Sequence, residues 1–257
     1  MKKITFTLLT FALAFSAFAQ DDWWSPLIIN TPSGYLNVRE RPTVNSPIVN
    51  RFYQYEVFFD ARFYFANDVI HHKEFPRNWI PVAFDFVSTS DRCIENGRID
   101  GFVYRPFTLR MRDLPLLDLK SGSDEQIVVG NDTLQVVLSL RPFDIDAHEI
   151  RFADWDKNLI VSVNGRFPLG VGGSHFLIDH VPYVREIAGL SVYQNDKRWE
   201  LSIDRIWHYF NPGMSVNVGL HGELYIHIGV GDGSETHNIC LSVVNGEIIH
   251  ITHTDPH

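Results

Sequence analysis

Short apolar segments, nearly all ended by Gly, Pro, Asn or Asp, constrain the fold of this chain more than any other feature of its sequence. β-branched and aromatic residues dominate these segments, and apolar and polar side chains alternate in runs such as Leu134–Arg141 and Leu224–Val230. A period of two is typical of strands with one buried face. Asn245-Gly246 lies between two such runs and predicts a two-residue hairpin turn. The pattern predicts an all-β fold.

Residues 1–19 have the three parts of a secretory signal peptide. Two lysines follow the first methionine, residues 4–15 are apolar and uncharged, and residues 16–19 read Ser-Ala-Phe-Ala, a small-residue cleavage pattern. No later run is apolar for long enough to cross a bilayer. We therefore expect an exported protein without a transmembrane segment, periplasmic or secreted, in a bacterium.

Charge is unevenly distributed along the chain. The formal net charge is −9, but residues 30–110 carry a net charge of +1 and residues 111–257 carry −10. This step predicts a domain boundary near residue 110. A polar segment, "DLKSGSDEQ", then predicts a linker over 111–126, followed by a β-sandwich or sheet-rich domain over 127–257. The acidic charge of that domain argues against nucleic acid and anionic surfaces as its partners.

The segment "GYLNVRERPTVNSPIV" (residues 34–49) resembles the start of a bacterial SH3 (SH3b) domain, where a Gly-x-Leu-Asn-Val-Arg strand precedes a proline-containing loop and an apolar pair. Further along, Trp79 and Val82 fit the Trp-x-x-Val strand of that family. Phe102 stands where the closing Gly-Trp-Val strand of the family has its tryptophan. The resemblance implies an SH3-like small barrel over residues 30–110, after an N-terminal extension at 20–29.

Two features of this chain depart from the family pattern. Gln54-Tyr55 stands where a glycine usually follows the second strand, and insertions near residues 63–77 and 86–100 enlarge the barrel beside its usual binding face. The C-terminal half resembles only the ends of exported bacterial proteins of uncharacterised role.

The SH3b resemblance implies recognition of peptidoglycan or cell-wall peptide. An aromatic groove for such a ligand could use Tyr35, Trp79 and Tyr104, because flat rings offer a large contact area at low entropic cost. For Trp79 and Phe102 the favoured interpretation is instead that their rings belong to the barrel core. We expect a non-enzymatic binding protein of the envelope, with wall material or an envelope protein as partner. The alternative is a periplasmic inhibitor or immunity-type protein whose acidic second domain covers a basic partner.

Sequence motifs for catalysis are missing, so we expect neither an enzyme nor a cofactor. The chain has no cysteine at a predicted helix start with a histidine on a nearby strand. It also has no Gly-x-Ser-x-Gly nucleophile turn and no His-Glu-x-x-His zinc-binding helix. An unfamiliar catalytic site is a further alternative. Its ionisable groups would be drawn from Asp154, Asp156, His175, Asp179 and His180.

Cys93 and Cys240 are the only cysteines of the chain. In an oxidising compartment they could form one disulfide between the two halves, and the other interpretation is two separate buried thiols. The sequence leaves both open.

The segment "HGELYIHIG" places several polar groups on one face of a predicted strand: His221, Glu223, Tyr225 and His227. Histidine and glutamate could ligate zinc, but one strand alone spaces them too widely. We expect a solvated sheet face and no metal.

Overall fold

The computed structural model describes residues 26–61, 76–82, 100–171, 176–231 and 237–254. These residues form eighteen strands and four short 3-10 helices, so the all-β prediction is confirmed. In chain order the strands are β1 (Leu27–Ile29), β2 (Tyr35–Arg39), β3 (Ile48–Tyr53), β4 (Val57–Phe58), β5 (Trp79–Val82), β6 (Gly101–Tyr104), β7 (Thr108–Arg110), β8 (Asp118–Gly122), β9 (Gln126–Gly130), β10 (Leu134–Pro142), β11 (Ile150–Phe152), β12 (Ile160–Val163), β13 (Arg185–Gln194), β14 (Lys197–Leu201), β15 (Gly213–Val218), β16 (Leu224–Val230), β17 (His237–Val244) and β18 (Glu247–Thr254). The 3-10 helices are Arg105–Phe107, Met111–Asp113, Ile145–Ala147 and Ile178–Tyr183.

Two antiparallel sheets form the first unit of the molecule. One has the strand order β3-β2-β6-β5, and the other has the order β4-β1-β7. In β2 the side chains of Leu36 and Val38 point into the core while Asn37 and Arg39 face outward, as the alternation predicts. The shared core of the two sheets consists of Leu27, Ile29, Leu36, Val38, Phe52, Phe58, Ile80, Val82 and Val103.

A β-sandwich forms the second unit. Its five-stranded sheet has the order β14-β13-β10-β9-β8, and its four-stranded sheet has the order β15-β16-β17-β18. Inward-facing residues of both sheets form one core that includes Val136, Leu190, Ile226 and Leu241, each fully buried. Beside the sandwich, the β11-β12 pair and the 3-10 helix Ile178–Tyr183 pack around a smaller cluster centred on Phe176 and Phe210.

The two units pack against each other through a third apolar cluster, which we call the interface cluster. It comprises Ile28, Val57, Phe59, Met111, Leu114, Tyr225 and Cys240. Strands β1 and β4 are buried on both faces, since their neighbouring residues point alternately into the shared core of the first unit and into this cluster. Burial on both faces explains why both strands are continuous apolar runs.

The structure differs from the sequence-based prediction in one segment, and several other predictions concern residues outside the described ranges. The segment 111–126, expected as a linker, holds the 3-10 helix Met111–Asp113 and strand β8, which pairs with β9 although all five of its residues are exposed. The signal peptide, Cys93 and most of the two insertions lie outside the described residues. The Asn245-Gly246 turn is confirmed, with φ of 51° and 80°, between β17 and β18.

Candidate functional site

The sequence-predicted groove residues Tyr35, Trp79 and Tyr104 lie on three strands of the sheet β3-β2-β6-β5. Each alternates along its strand with a residue of the shared core of the first unit, namely Leu36, Ile80 and Val103, so all three belong to the face of the sheet that points away from this core. Trp79 is paired directly with Tyr104 in the β5–β6 register. The structure therefore brings the three rings to one side of one sheet.

The β5–β6 end of this face is a chain of edge-to-face aromatic contacts. The Trp79 and Tyr104 ring centroids are 5.4 Å apart, and those of Tyr104 and Phe107 are 5.5 Å apart. Trp79 is only 7% exposed, whereas Tyr104 is partly buried and Phe107 is 45% exposed. Trp79 thus supports the neighbouring ring, and the accessible contact area belongs to Tyr104 and Phe107.

The β2–β3 end of the face carries a tyrosine pair. Tyr35 and Tyr53 are direct cross-strand partners and are 38% and 55% exposed. The guanidinium of Arg51 lies 5.1 Å from the Tyr35 ring centroid, and its Nε donates to Asn37 Oδ1 at 3.1 Å. This cation–π contact and hydrogen bond hold a positive charge beside two exposed rings.

Sequence reasoning missed three members of this surface: Arg51, Tyr53 and Phe107. The alternation in β3 carried the signal for two of them, because Phe52 is buried in the core and its neighbours must face the other side. We call the surface formed by Tyr35, Arg51, Tyr53, Tyr104 and Phe107, with Trp79 beneath it, the aromatic face.

An open cleft of about 480 Å³ begins at the β3 end of the aromatic face, where Tyr53 lines it. Gln54, Tyr55 and Glu56 form its wall on the first unit, and Val244, Ile249 and His250 form the wall on the sandwich. Glu56 Oε2 accepts a hydrogen bond of 3.0 Å from the backbone N–H of Tyr53, which fixes the turn between β3 and β4. Burial lowers the pKa of His250, against the opposing effect of the Glu56 charge.

Tyr55 adopts the left-handed conformation, with φ of 74°. A bulky residue in this region is strained, and glycine is the residue that adopts it without cost. The buried hydroxyl of Ser242 donates to the Tyr55 carbonyl at 2.7 Å, so a contact from the sandwich holds the turn in place.

The prediction that this face of β16 is exposed to solvent is wrong. Tyr225 and Cys240 are both 1% exposed, and the face carrying Tyr225 and His227 packs against the first unit. Buried Glu223 accepts from the Tyr225 hydroxyl at 3.2 Å and from the backbone N–H of His221 at 2.9 Å. Within the described ranges, no three or more His, Cys, Asp and Glu side chains converge as a metal site.

Cys240 and His227 are direct cross-strand partners, with Sγ and Nε2 3.8 Å apart. Met111 Sδ is 4.0 Å from Cys240 Sγ and 2.5 Å from His227 Nε2. Burial raises the pKa of the Cys240 thiol and lowers the pKa of His227 to about 4, because neither charged form is solvated there. Since Cys93 is outside the described residues, the disulfide stays a prediction.

The proposed catalytic carboxylates and histidines are spread over two elements. Asp154 is exposed in a loop, Asp156 accepts a hydrogen bond of 2.8 Å from the Asn158 N–H, and Asp179 and His180 are exposed on the 3-10 helix Ile178–Tyr183. None of them lines the cleft at Tyr55. His175 is outside the described residues.

A buried ion network that the sequence did not reveal lies beside β11 and β13. Glu186, 2% exposed, accepts from Arg141 Nε at 2.6 Å and contacts His148 Nε2 at 2.9 Å. Asn164 Oδ1 accepts from the Glu149 N–H, so its Nδ2 points at His148 Nδ1, 2.9 Å away. Both ring nitrogens of His148 are occupied, so the network satisfies a buried carboxylate and offers no free base.

Protein-family models, curated proteins and solved structures were all compared with this chain, and none of them matches it. No helix in the part of the chain that the structure describes has the length and apolar composition of a membrane span.

Proposed function

We propose that this chain is an exported, non-enzymatic binding protein of the bacterial envelope, and that the aromatic face of an SH3b-like first unit recognises cell-wall material. The observation that carries the proposal is the grouping of Tyr35, Tyr53, Tyr104 and Phe107 on one side of one sheet, with Arg51 fixed among them.

The chemistry of the aromatic face suits a ligand with apolar sugar or side-chain surfaces and carboxylate groups. Exposed rings on regular strands are already ordered, so a ligand that stacks on them loses little side-chain entropy of the protein. Arg51 adds a forked donor for a carboxylate. Wall peptides combine both features, and the first unit lacks the large negative charge that would repel them.

The left-handed turn at Tyr55 supports the SH3b-like interpretation of the first unit. The chain takes a glycine-type conformation where the family pattern has glycine, although the side chain differs. The single core shared by the sheets β3-β2-β6-β5 and β4-β1-β7 also suits a small barrel.

Peptidoglycan sedimentation tests this function. We expect Tyr35→Ala and Tyr104→Ala to lower the bound fraction of the full chain several-fold while its circular dichroism stays unchanged. Tyr193→Ala is the matched control, because Tyr193 also lies under an arginine, with Arg198 5.2 Å from its ring centroid, but on the sandwich. Binding that is unchanged in the first two variants, or equally reduced in the third, would contradict the proposal.

The inhibitor or immunity-type alternative is favoured by one loop of the second unit. Trp155 is 78% exposed and lies between Asp154 and Asp156. Exposed tryptophan is a frequent centre of protein interfaces, and flanking carboxylates would steer a basic partner towards it. Salt-sensitive capture of a basic envelope protein that is lost in Trp155→Ala and kept in Tyr35→Ala would support this second function over the first.

A further inference from the structure

We propose that Met111, His227 and Cys240 form a binding site for one Cu(I) ion between the two units of the molecule. The three donor atoms come from a 3-10 helix of the first unit and from two adjacent strands of the sandwich. This inference does not depend on the proposed wall-binding function.

The donor distances suit a trigonal site. Metal bonds of about 2.3 Å to sulfur and about 2.0 Å to nitrogen, at trigonal angles, place the donor atoms about 3.7–4.0 Å apart. The Cys240 Sγ–His227 Nε2 distance is 3.8 Å and the Cys240 Sγ–Met111 Sδ distance is 4.0 Å. The third distance, from Met111 Sδ to His227 Nε2, is 2.5 Å and must widen by about 1.2 Å, which rotation of the flexible thioether side chain allows.

The donor set selects a soft ion. Thiolate and thioether sulfur favour Cu(I), whereas zinc sites use thiolate, imidazole and carboxylate ligands, and no such group of three converges among the described residues. The charge balance of the site also favours Cu(I). One monovalent ion and one thiolate make a neutral pair, which burial tolerates, whereas a divalent ion would leave an unpaired positive charge among Ile28, Val57 and Phe59.

Proton balance is simple at this site. Cu(I) replaces the thiol proton of Cys240, so one proton leaves as the sulfur–copper bond forms, and copper keeps its oxidation state. A neutral imidazole supplies the Nε2 lone pair of His227 as the third donor, beside the two sulfur atoms. His227 is the least buried of the three donor residues, since Met111 and Cys240 are each 1% exposed.

Copper binding and the predicted Cys93–Cys240 disulfide exclude each other, because both need the same sulfur. The proposal therefore requires that Cys240 be a thiol in the folded protein. Alkylation of the unfolded chain without reductant, followed by mass spectrometry, measures this directly. A fully disulfide-bonded Cys240 would overturn the proposal.

Competition with the Cu(I) chelator bicinchoninate tests the site in the full, metal-free, reduced chain under anaerobic conditions. We expect one Cu(I) per chain, with native mass spectrometry showing the gain of one copper and the loss of one proton. Cys240→Ala and Met111→Leu should each weaken binding by about 100-fold or more, since even losing a group behind a metal ligand costs 10–100-fold.

The chain supplies matched controls for both substitutions. Met214→Leu removes another buried thioether, in the sandwich core, and Cys93→Ser removes the other thiol. We expect both to bind Cu(I) as the unsubstituted chain does. Met111→Leu preserves side-chain volume, so its folding should survive and its affinity stays informative. No binding in competition with the chelator, or binding that persists in Cys240→Ala, would overturn the proposal.

Discussion

At the contact between the two units, a single side chain can stabilise both the local backbone conformation and the packing of the units. Tyr55 is strained by its positive φ, and the Ser242 hydroxyl, which is fully buried, satisfies its carbonyl. This hydrogen bond joins the two units, so one hydroxyl stabilises both a strained turn and the packing of the units.

Replacing Ser242 with alanine should lower the free energy of unfolding by about 0.5–1.5 kcal/mol, because the hydrogen bond to the partly buried Tyr55 carbonyl is lost. Urea denaturation measures the change. Ser191→Ala is the control, since buried Ser191 donates to Glu200, whose exposed carboxylate can bond to water instead. We expect a smaller loss there, and equal losses would argue against a special role for Ser242.

The buried imidazole of His227 makes stability depend on pH. Its pKa is about 4 in the folded protein and 6.5 when solvated, so below pH 6.5 the unfolded chain takes up a proton that the folded chain does not. Stability therefore falls as pH drops from 6.5 towards 4, by up to about 1.4 kcal/mol for each pH unit. In metal-free protein, His227→Gln should reduce this slope, measured by urea denaturation at pH 7 and pH 5. An unchanged slope would contradict the assignment, and His250→Gln separates the contribution of His250, whose pKa is also lowered by burial.

At the scale of elements, hairpin turns are the best-specified parts of this fold. Asn164-Gly165 and Asn245-Gly246 both have two successive positive φ angles. The second turn is also packed against the neighbouring sheet, because a Cβ added to Gly246 would overlap the Trp199 ring.

Gly246→Ala should therefore destabilise the protein more than Gly165→Ala. Both substitutions force a side chain into the left-handed region, at about 1–2 kcal/mol, but nothing lies within 4 Å of the added Cβ at Gly165. We expect the Gly246 variant to lose about 1–3 kcal/mol more, from overlap with Trp199. Thermal unfolding of the two variants compares them, and equal melting temperatures would show that packing at Trp199 is unimportant.

Local sequence patterns predicted the strands and turns of this chain, but they could not predict which elements pack against each face of a sheet. Leu36 and Val38 alternate with outward residues as expected, and the Asn245-Gly246 turn forms where the sequence places it. The Tyr225 and His227 face was misassigned, because its cover comes from β1, β4 and Met111, more than one hundred residues away in sequence. Likewise, Tyr35 and Tyr104 were found by resemblance, while Tyr53 required the strand register.

At the scale of the whole molecule, three sheets stack with β4-β1-β7 on the outer face of β15-β16-β17-β18. The interface cluster and the hydrogen bond of 3.1 Å from Thr252 Oγ1 to the Val57 carbonyl join these layers. Two adjacent residues belong to different layers, since Phe58 packs in the shared core of the first unit and Phe59 in the interface cluster.

Alanine at either position should cost about 3–5 kcal/mol, because each ring is buried. Only Phe59→Ala opens the cluster that contains Cys240, so it should speed native-state labelling of that thiol several-fold more than Phe58→Ala does. The measurement uses a Cys93→Ser background, in which Cys240 is the single thiol. Equal acceleration in both variants would mean that the units do not separate independently of global unfolding.

The hydrogen bonds from Ser242 to Tyr55 and from Thr252 to Val57 span 187 and 195 residues. A ribosome completes the acceptor strand long before it makes the donors. During that delay the outer side of β4-β1-β7 has no cover, and uncovered apolar strands pair readily with other chains. Biogenesis of this protein should therefore depend on a holding chaperone that shields the first-made strands until the last hairpin docks, and that docking should be the slow step of folding.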